Sequence, residues 1–264
     1  MTSTVAGPLH VVRYPAQGES RCDTAVVLLH GIGGSVASCA PLAQWLAAVG
    51  IPSWCADAPG YGASPDPRPG VDVVDDVIEQ LDELSEARPA VLVGTSWGGV
   101  VAASVALRRP DRVAGLVLAD STRGSGTTPQ KAMAMRARIE ELADSGAHAV
   151  AMARAPRLVA PTSDPLVVDA VRTAMAGLRT SGFAAAAEFM ASTDLGPRLA
   201  EIACPTMVLV GEYDTVTGVD EARLLAERIP GAQLHIIADA GHVAIQEQPI
   251  ASAALIADFV KGLP

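Results

Sequence analysis

The chain is predicted to be an α/β protein, a mostly parallel, doubly wound sheet of about eight strands with an inserted helical cap. Three observations predict it. Short apolar runs alternate with longer helix-like stretches, an order that builds a parallel sheet with helices on its faces. Gly94-Thr95-Ser96-Trp97-Gly98 joins the apolar run Ala90-Val91-Leu92-Val93 to the helix-like Gly99-Val100-Val101-Ala102-Ala103-Ser104-Val105-Ala106-Leu107, so a strand turns tightly into a helix there. Residues 121–197 hold no strand-like run, and a stretch that long is not a loop in a compact domain.

Taken in order, strands are expected near 9–14, 25–30, 52–56, 90–94, 113–119, 206–211 and 233–238, where apolar residues run together between turn residues. Helices fall between them near 38–49, 71–86, 97–108, 219–229 and 249–261. The insertion is opened by Gly124-Ser125-Gly126 and is dense in Ala, Met and Arg, including Ala184-Ala185-Ala186-Ala187. The expected organisation is therefore a core from residues 1–120 and 198–264, with residues 121–197 as a helical cap. No internal repeat interrupts it.

Composition narrows the function. The 264 residues are 50% hydrophobic, enough for a sizeable core, and exceed one average domain while suiting a single sheet of this size. A net charge of −10 argues against nucleic-acid binding, which needs a basic surface. No run of 18 apolar residues is present, and Met1-Thr2-Ser3-Thr4-Val5-Ala6-Gly7-Pro8 lacks the basic start and apolar core of a signal peptide, so neither a membrane span nor secretion is expected. Cys22, Cys39, Cys55 and Cys204 are scattered without C-x-x-C spacing and read as reduced thiols of a cytoplasmic protein; no metal site is expected.

The turn at Ser96 carries the chemistry. A serine at such an apex is held in a strained backbone conformation, and Gly94 and Gly98 stand where side chains would collide as strand folds back into helix. The hydroxyl is thrust out at the positive end of a helix. Strand–Gly-x-Ser-x-Gly–helix is the context of a nucleophile elbow, which requires an acid and then a histidine later in the chain. Asp214 follows the strand Met207-Val208-Leu209-Val210, and His242 comes 28 residues later in Ala240-Gly241-His242, after Leu234-His235-Ile236-Ile237. Both loops leave the sheet on the same edge as the elbow. Asp120, which ends the strand Val113–Ala119, competes with Asp214 for the acid. Of the other histidines, His235 lies within a strand, His148 in an Ala-rich helical stretch, and His10 ahead of the core. His30 reads as a loop-bonding residue. The glycine-rich segment His30-Gly31-Ile32-Gly33-Gly34-Ser35 lets the backbone curl toward the serine, so the amides of Ile32 and Trp97 are the expected oxyanion-hole donors.

With Asp57-Ala58-Pro59-Gly60-Tyr61-Gly62-Ala63-Ser64, these segments resemble the α/β-hydrolases, in the branch of small esterases, lactonases and carbon–carbon bond hydrolases. The resemblance spans about residues 5–120 and 200–262. Around Leu107–Leu118 and Asp194-Leu195 through Ile202 the chain is similar to 3-oxoadipate enol-lactonases. The family often carries a proline shortly after its acid; Asp214-Thr215-Val216-Thr217-Gly218 has none, which implies a looser loop. Related peptidases that remove amino-terminal proline also carry Trp after the serine, but they bind an ammonium with cap carboxylates, and no acid cluster stands in this cap.

Residues 121–197 hold eight Arg plus Lys against seven Asp plus Glu, or +1, whereas the remainder holds 11 against 22, or −11. A basic cap on an acidic body makes Arg123, Arg136, Arg138, Arg154 and Arg157 candidates for receiving a substrate carboxylate, against the alternative that they are solvated helix surface. Met133, Met135 and Met152 read as core filler. The expected reaction is hydrolysis of a small carboxylic ester or enol-lactone, one bearing a free carboxylate included, through an acyl-enzyme on Ser96, with no cofactor and a small molecule as partner. The alternatives are carbon–carbon cleavage of a vinylogous diketone, a slow-turnover ligand sensor, and haloperoxidase-like perhydrolysis.

Overall fold

A computed structural model describes residues 2–5, 7–20, 24–85 and 88–263, with side chains from residue 7 onward; Cys22 lies outside the described residues. Among the described residues eight strands form one sheet: β1 Thr2–Val5, β2 His10–Tyr14, β3 Val26–Leu29, β4 Ser53–Ala56, β5 Ala90–Thr95, β6 Val113–Ala119, β7 Thr206–Gly211 and β8 Gln233–Ile237. Their spatial order is β1-β2-β4-β3-β5-β6-β7-β8. The first two pairings are antiparallel and the rest parallel. The expected strands are all present; β1 is additional.

The central strands read as unbroken apolar runs because both faces of the sheet are covered. Side chains alternate between faces. Val27, Leu29, Leu92, Leu116 and Leu118 point to one buried cluster, and Val26, Leu28, Val91, Val93 and Val117 to the other. On the first face lie α2 Val73–Leu84, α3 Trp97–Arg108 and α7 Val219–Arg228, which bury Val77, Val101 and Leu225. On the second lie α1 Val36–Ala48 and α9 Pro249–Lys261, which bury Leu42, Leu46, Ile256 and Phe259. Full burial of one such side chain stabilises by about 1.5–3 kcal/mol. Leu92 is completely buried in the middle of the sheet, so Leu92→Ala is a cavity-forming change costing about 2–5 kcal/mol.

Helix starts follow local chemistry. Ser35 caps α1 through a reciprocal capping box with Ser38, and Asp72 caps α2 by accepting from the backbone N–H groups of Val74 and Asp75. The chain leaves the sheet after β6 and returns on the adjacent β7. Between them run α4 Pro129–Arg154, α5 Pro165–Ala176 and α6 Thr180–Ser192, with α5 and α6 both packed on α4. Gly146, at φ +77°, breaks α4. A short helix, α8 Ala244–Glu247, precedes α9. No described helix is long and apolar enough to cross a membrane, and Cys39, Cys55 and Cys204 are free thiols.

Met133 and Met152 correct an expectation: they are among the most exposed large apolar side chains, at 69% and 49%. Only Met135 packs inward, against the core. The outer turns of α4 face solvent, so Met at these positions fills nothing.

Candidate active site

Ser96, Asp214 and His242 follow β5, β7 and β8, each at the carboxyl edge of the parallel sheet, where loops from neighbouring strands converge. Ser96 has φ +53° and ψ −118°, the strained apex that the elbow demands. Gly94 and Gly98 relieve it as anticipated. A Cβ on Gly94 would lie 2.3 Å from the Gly98 carbonyl oxygen, and one on Gly98 2.4 Å from that of Leu29. The backbone N–H of Ser96 donates to Ala119 O at 2.8 Å, and the Ser121 hydroxyl donates to Ser96 O at 2.8 Å, so the turn is tied to the end of β6.

Ser96 Oγ lies 3.0 Å from His242 Nε2, and His242 Nδ1 lies 3.0 Å from Asp214 Oδ2. These three residues form one hydrogen-bonded chain. The other oxygen of Asp214 accepts the backbone N–H groups of Val216 at 2.7 Å and Thr217 at 3.1 Å, and the Thr217 hydroxyl donates to Oδ2 at 2.5 Å. The loop expected to be loose is thus fastened to the carboxylate itself. A proline at 216 or 217 would remove one of those donors.

Electrostatics follow the geometry. Burial of Asp214 disfavours its charge, but the hydrogen bond and charge of His242, with the Thr217 hydroxyl, outweigh it and hold the carboxyl down at about 2. Burial of His242 likewise opposes its charge; Asp214 and, more weakly, Asp120 outweigh that, so the imidazole pKa is raised. Asp120 is not bonded to His242. Its Oδ1 accepts from the backbone N–H of Gly211 at 2.8 Å and its Oδ2 from that of Ala244 at 2.9 Å. Complete burial, with the Asp214 charge nearby, pushes its carboxyl up to about 7 against the attraction of His242.

The His242 loop is gripped from the helical segment. The His242 backbone N–H donates to Leu158 O at 2.8 Å, and Glu247 accepts the N–H groups of Gly241 and Ala160, both at 2.7 Å. Glu247 carries no motif that the sequence could have exposed. Across the site, Gly31 approaches Ser96 so closely that a Cβ would sit 3.4 Å from that of the serine. His30 bonds the loop: Nδ1 donates to Gly31 O at 2.8 Å while Nε2 accepts from Ala58 N–H at 3.1 Å. The Tyr61 hydroxyl donates to Ile32 O at 3.1 Å, and Tyr61 stacks on Trp97 with ring centroids 5.6 Å apart. The Asp57–Ser64 motif has a structural task, since Asp57 accepts from Val36 N–H at 2.7 Å and pairs with His10 Nδ1 at 2.8 Å.

A cavity of about 430 Å³ opens onto Ser96 and His242, with Ile32 and Trp97 in its wall; that size suits a small molecule. Arg138, Arg154 and Arg157 line it, while Arg123 and Arg136 do not. Arg123 is clamped on Glu221, its Nε 2.9 Å and Nη2 3.1 Å from the two carboxylate oxygens. Arg136 grips Glu188 at 2.8 and 2.7 Å. Lys131, which the sequence did not single out, also lines the cavity.

Comparisons with known proteins agree with this architecture. The family model described as Serine aminopeptidase, S33 (Hydrolase_4) matches residues 20–249. The 3-oxoadipate enol-lactonase 2 of Acinetobacter baylyi is 30% identical over 202 residues, 74% of this chain and 73% of the relative. A pimeloyl-[acyl-carrier protein] methyl ester esterase of Aromatoleum aromaticum is 30% identical over 90% of this chain and 98% of its own. A thermophilic esterase from Thermogutta terrifontis, solved with malate bound, superposes with a TM-score of 0.86 at 27% identity, covering 98% of this chain and 97% of that one. With the elbow, the sheet order and the matched 230 residues in agreement, the chain belongs to the Serine aminopeptidase, S33, family of α/β-hydrolases.

Proposed function

We propose that the protein is a serine hydrolase that cleaves a small carboxylic ester or enol-lactone through an acyl-enzyme on Ser96. The observation that carries this reading is the 3.0 Å contact of Ser96 Oγ with His242 Nε2 at the wall of the cavity. His242 takes the hydroxyl proton as Ser96 attacks the carbonyl carbon, and Asp214, on Nδ1, holds the ring in the tautomer that leaves Nε2 free to accept. The carbonyl oxygen becomes negative and is received by the backbone N–H groups of Ile32 and Trp97; the latter stands in the first turn of α3, where the helix offers no acceptor of its own. His242 then protonates the departing oxygen, and a water activated by the same imidazole releases the acid.

Residues 121–197 serve as the cap in this scheme, since Arg138, Arg154 and Arg157 form wall while Leu158 O holds the His242 loop. Two relatives are named for, or solved with, a dicarboxylate, 3-oxoadipate and malate. We extend that to a substrate carrying a free carboxylate. Free thiols at Cys39, Cys55 and Cys204 fit a cytoplasmic setting.

The test is a panel of p-nitrophenyl esters, enol-lactones and monoalkyl esters of diacids. Turnover of an ester or lactone that Ser96→Ala abolishes supports the reading. Turnover of a vinylogous diketone with none of any ester would replace it by carbon–carbon cleavage.

A further inference from the structure

The cavity wall is unbalanced in charge. Lys131, Arg138, Arg154 and Arg157 line it against one carboxylate, Glu221, and Glu221 is occupied by Arg123. Arg154 is also spoken for, its Nη2 lying 2.5 Å from Glu141. Arg157 is exposed, so water already satisfies it.

Arg138 differs from all of these. It is half-buried on α4 and forms no ion pair among the described residues. Its guanidinium carbon stands 5.4 Å from the centroid of Phe183, and its Nη1 finds a sulfur, Met135 Sδ, at 3.6 Å. Within the protein its guanidinium therefore meets one weak acceptor and an aromatic face, and its Nε is buried with no hydrogen-bond partner among the described residues. Burial, and then the neighbouring charge of Arg154, bring its pKa down to about 10, whereas the arginines held by carboxylates, such as Arg123 and Arg136, are shifted upward. A fold ordinarily pairs a charge that it removes from water. This one is left for something that arrives.

We propose that Arg138 is a specificity-determining residue whose guanidinium receives a carboxylate of the substrate inside the cavity that Ser96 and His242 face. This rests on the reading of the cavity as a substrate site, and selects one arginine among the five that the sequence offered. The planar fork matches a carboxylate through two parallel N–H bonds while Phe183 supports one face. Arg157 and Lys131 contribute positive potential at the wall without a fixed seat.

The experiment measures binding, so that it stands apart from turnover. Ser96→Ala is titrated calorimetrically with monomethyl glutarate and with dimethyl glutarate, which differ by one negative charge. We expect the monoester to bind about tenfold tighter or more. Adding Arg138→Met should abolish that preference, Arg138→Lys should restore part of it because the ammonium lacks the fork, and Arg136→Met should leave it intact. Should Arg138→Met lose its cooperative thermal unfolding, Arg138→Gln replaces it with a neutral polar head. Equal affinity for the two esters, or a preference that survives in a folded Met or Gln variant, overturns the assignment. Absence of ester turnover in the unsubstituted protein with the preference intact would instead count against the proposed reaction.

Discussion

Asp214 and Asp120 stand at the carboxyl ends of the adjacent strands β7 and β6, and they take different loads: Asp214 Oδ2 meets His242 Nδ1 at 3.0 Å, while both oxygens of Asp120 are taken by the backbone N–H groups of Gly211 and Ala244. Two carboxylates near one imidazole are thus divided between the ring and the loops that carry it.

Substitution should separate them. Asp214→Asn presents the ring with an amide that favours the wrong tautomer, and kcat should fall by about 10³–10⁴-fold, with a modest stability change. Asp120→Asn aims an NH₂ at one of two backbone donors, so a loss of stability of about 1–3 kcal/mol is expected with a smaller effect on kcat. Steady-state kinetics beside denaturant unfolding check both. A larger kcat loss in Asp120→Asn would exchange the roles.

Asp120 also gives stability a pH dependence. Its folded pKa, about 7, lies above that of an unfolded aspartate, so its contribution is complete below about pH 4 and is lost as pH rises through 7. Asp214, held at about 2, works the opposite way, stabilising above about pH 4 and losing that contribution as pH falls toward 2. Between pH 4 and 7 the slope of stability should flatten in Asp120→Asn, as measured by urea unfolding at each pH.

The proposed base must be neutral to accept the Ser96 proton, and its raised pKa places the acid limb of kcat/KM above the ordinary imidazole value of about 6.5. Activity rises with pH through that limb. Asp214 and Asp120 push His242 upward and Arg138 pushes it down. Arg138→Met should therefore move the limb to higher pH, as read from pH–rate profiles on a neutral ester. A limb below 6.5, or one that shifts downward in the variant, contradicts this balance.

Gly60 joins the Asp57–Ser64 loop to α6. It has φ +78°, and a Cβ there would lie 2.3 Å from Gly182 Cα. Gly18 has a similar φ of +86° with nothing within 4 Å of its absent Cβ. Gly18→Ala should cost about 1–2 kcal/mol for the backbone alone. Gly60→Ala adds overpacking of about 1–3 kcal/mol and should be clearly the less stable of the two in thermal unfolding. Equal losses would mean that α6 yields without cost.

Much of the candidate site is legible in the sequence because its geometry is local. The elbow lies within Gly94–Gly98, and the order Ser96, Asp214, His242 survives any loop length. Thr2-Ser3-Thr4-Val5, with one apolar residue in four, carries no strand pattern; pairing with β2 makes it a strand. Other features depend on partners far along the chain. Arg123 is answered by Glu221, 98 residues away, and Arg136 by Glu188, 52 away, so charge counting ranked the five arginines alike although only Arg138, Arg154 and Arg157 reach the cavity. Thr217 and Glu247 act through single hydrogen bonds to loops that no spacing rule connects.

If Ser96 is the nucleophile, its loss must show in kcat/KM for the best ester of the panel, measured in Ser96→Ala beside the unfolding temperature. The Ser96 side chain makes no capping hydrogen bond to α3 and its backbone strain is unchanged by alanine, so the protein should unfold at nearly the same temperature while kcat/KM falls by about three orders of magnitude or more. Near-full ester hydrolysis in the folded variant would remove Ser96 from the role of nucleophile.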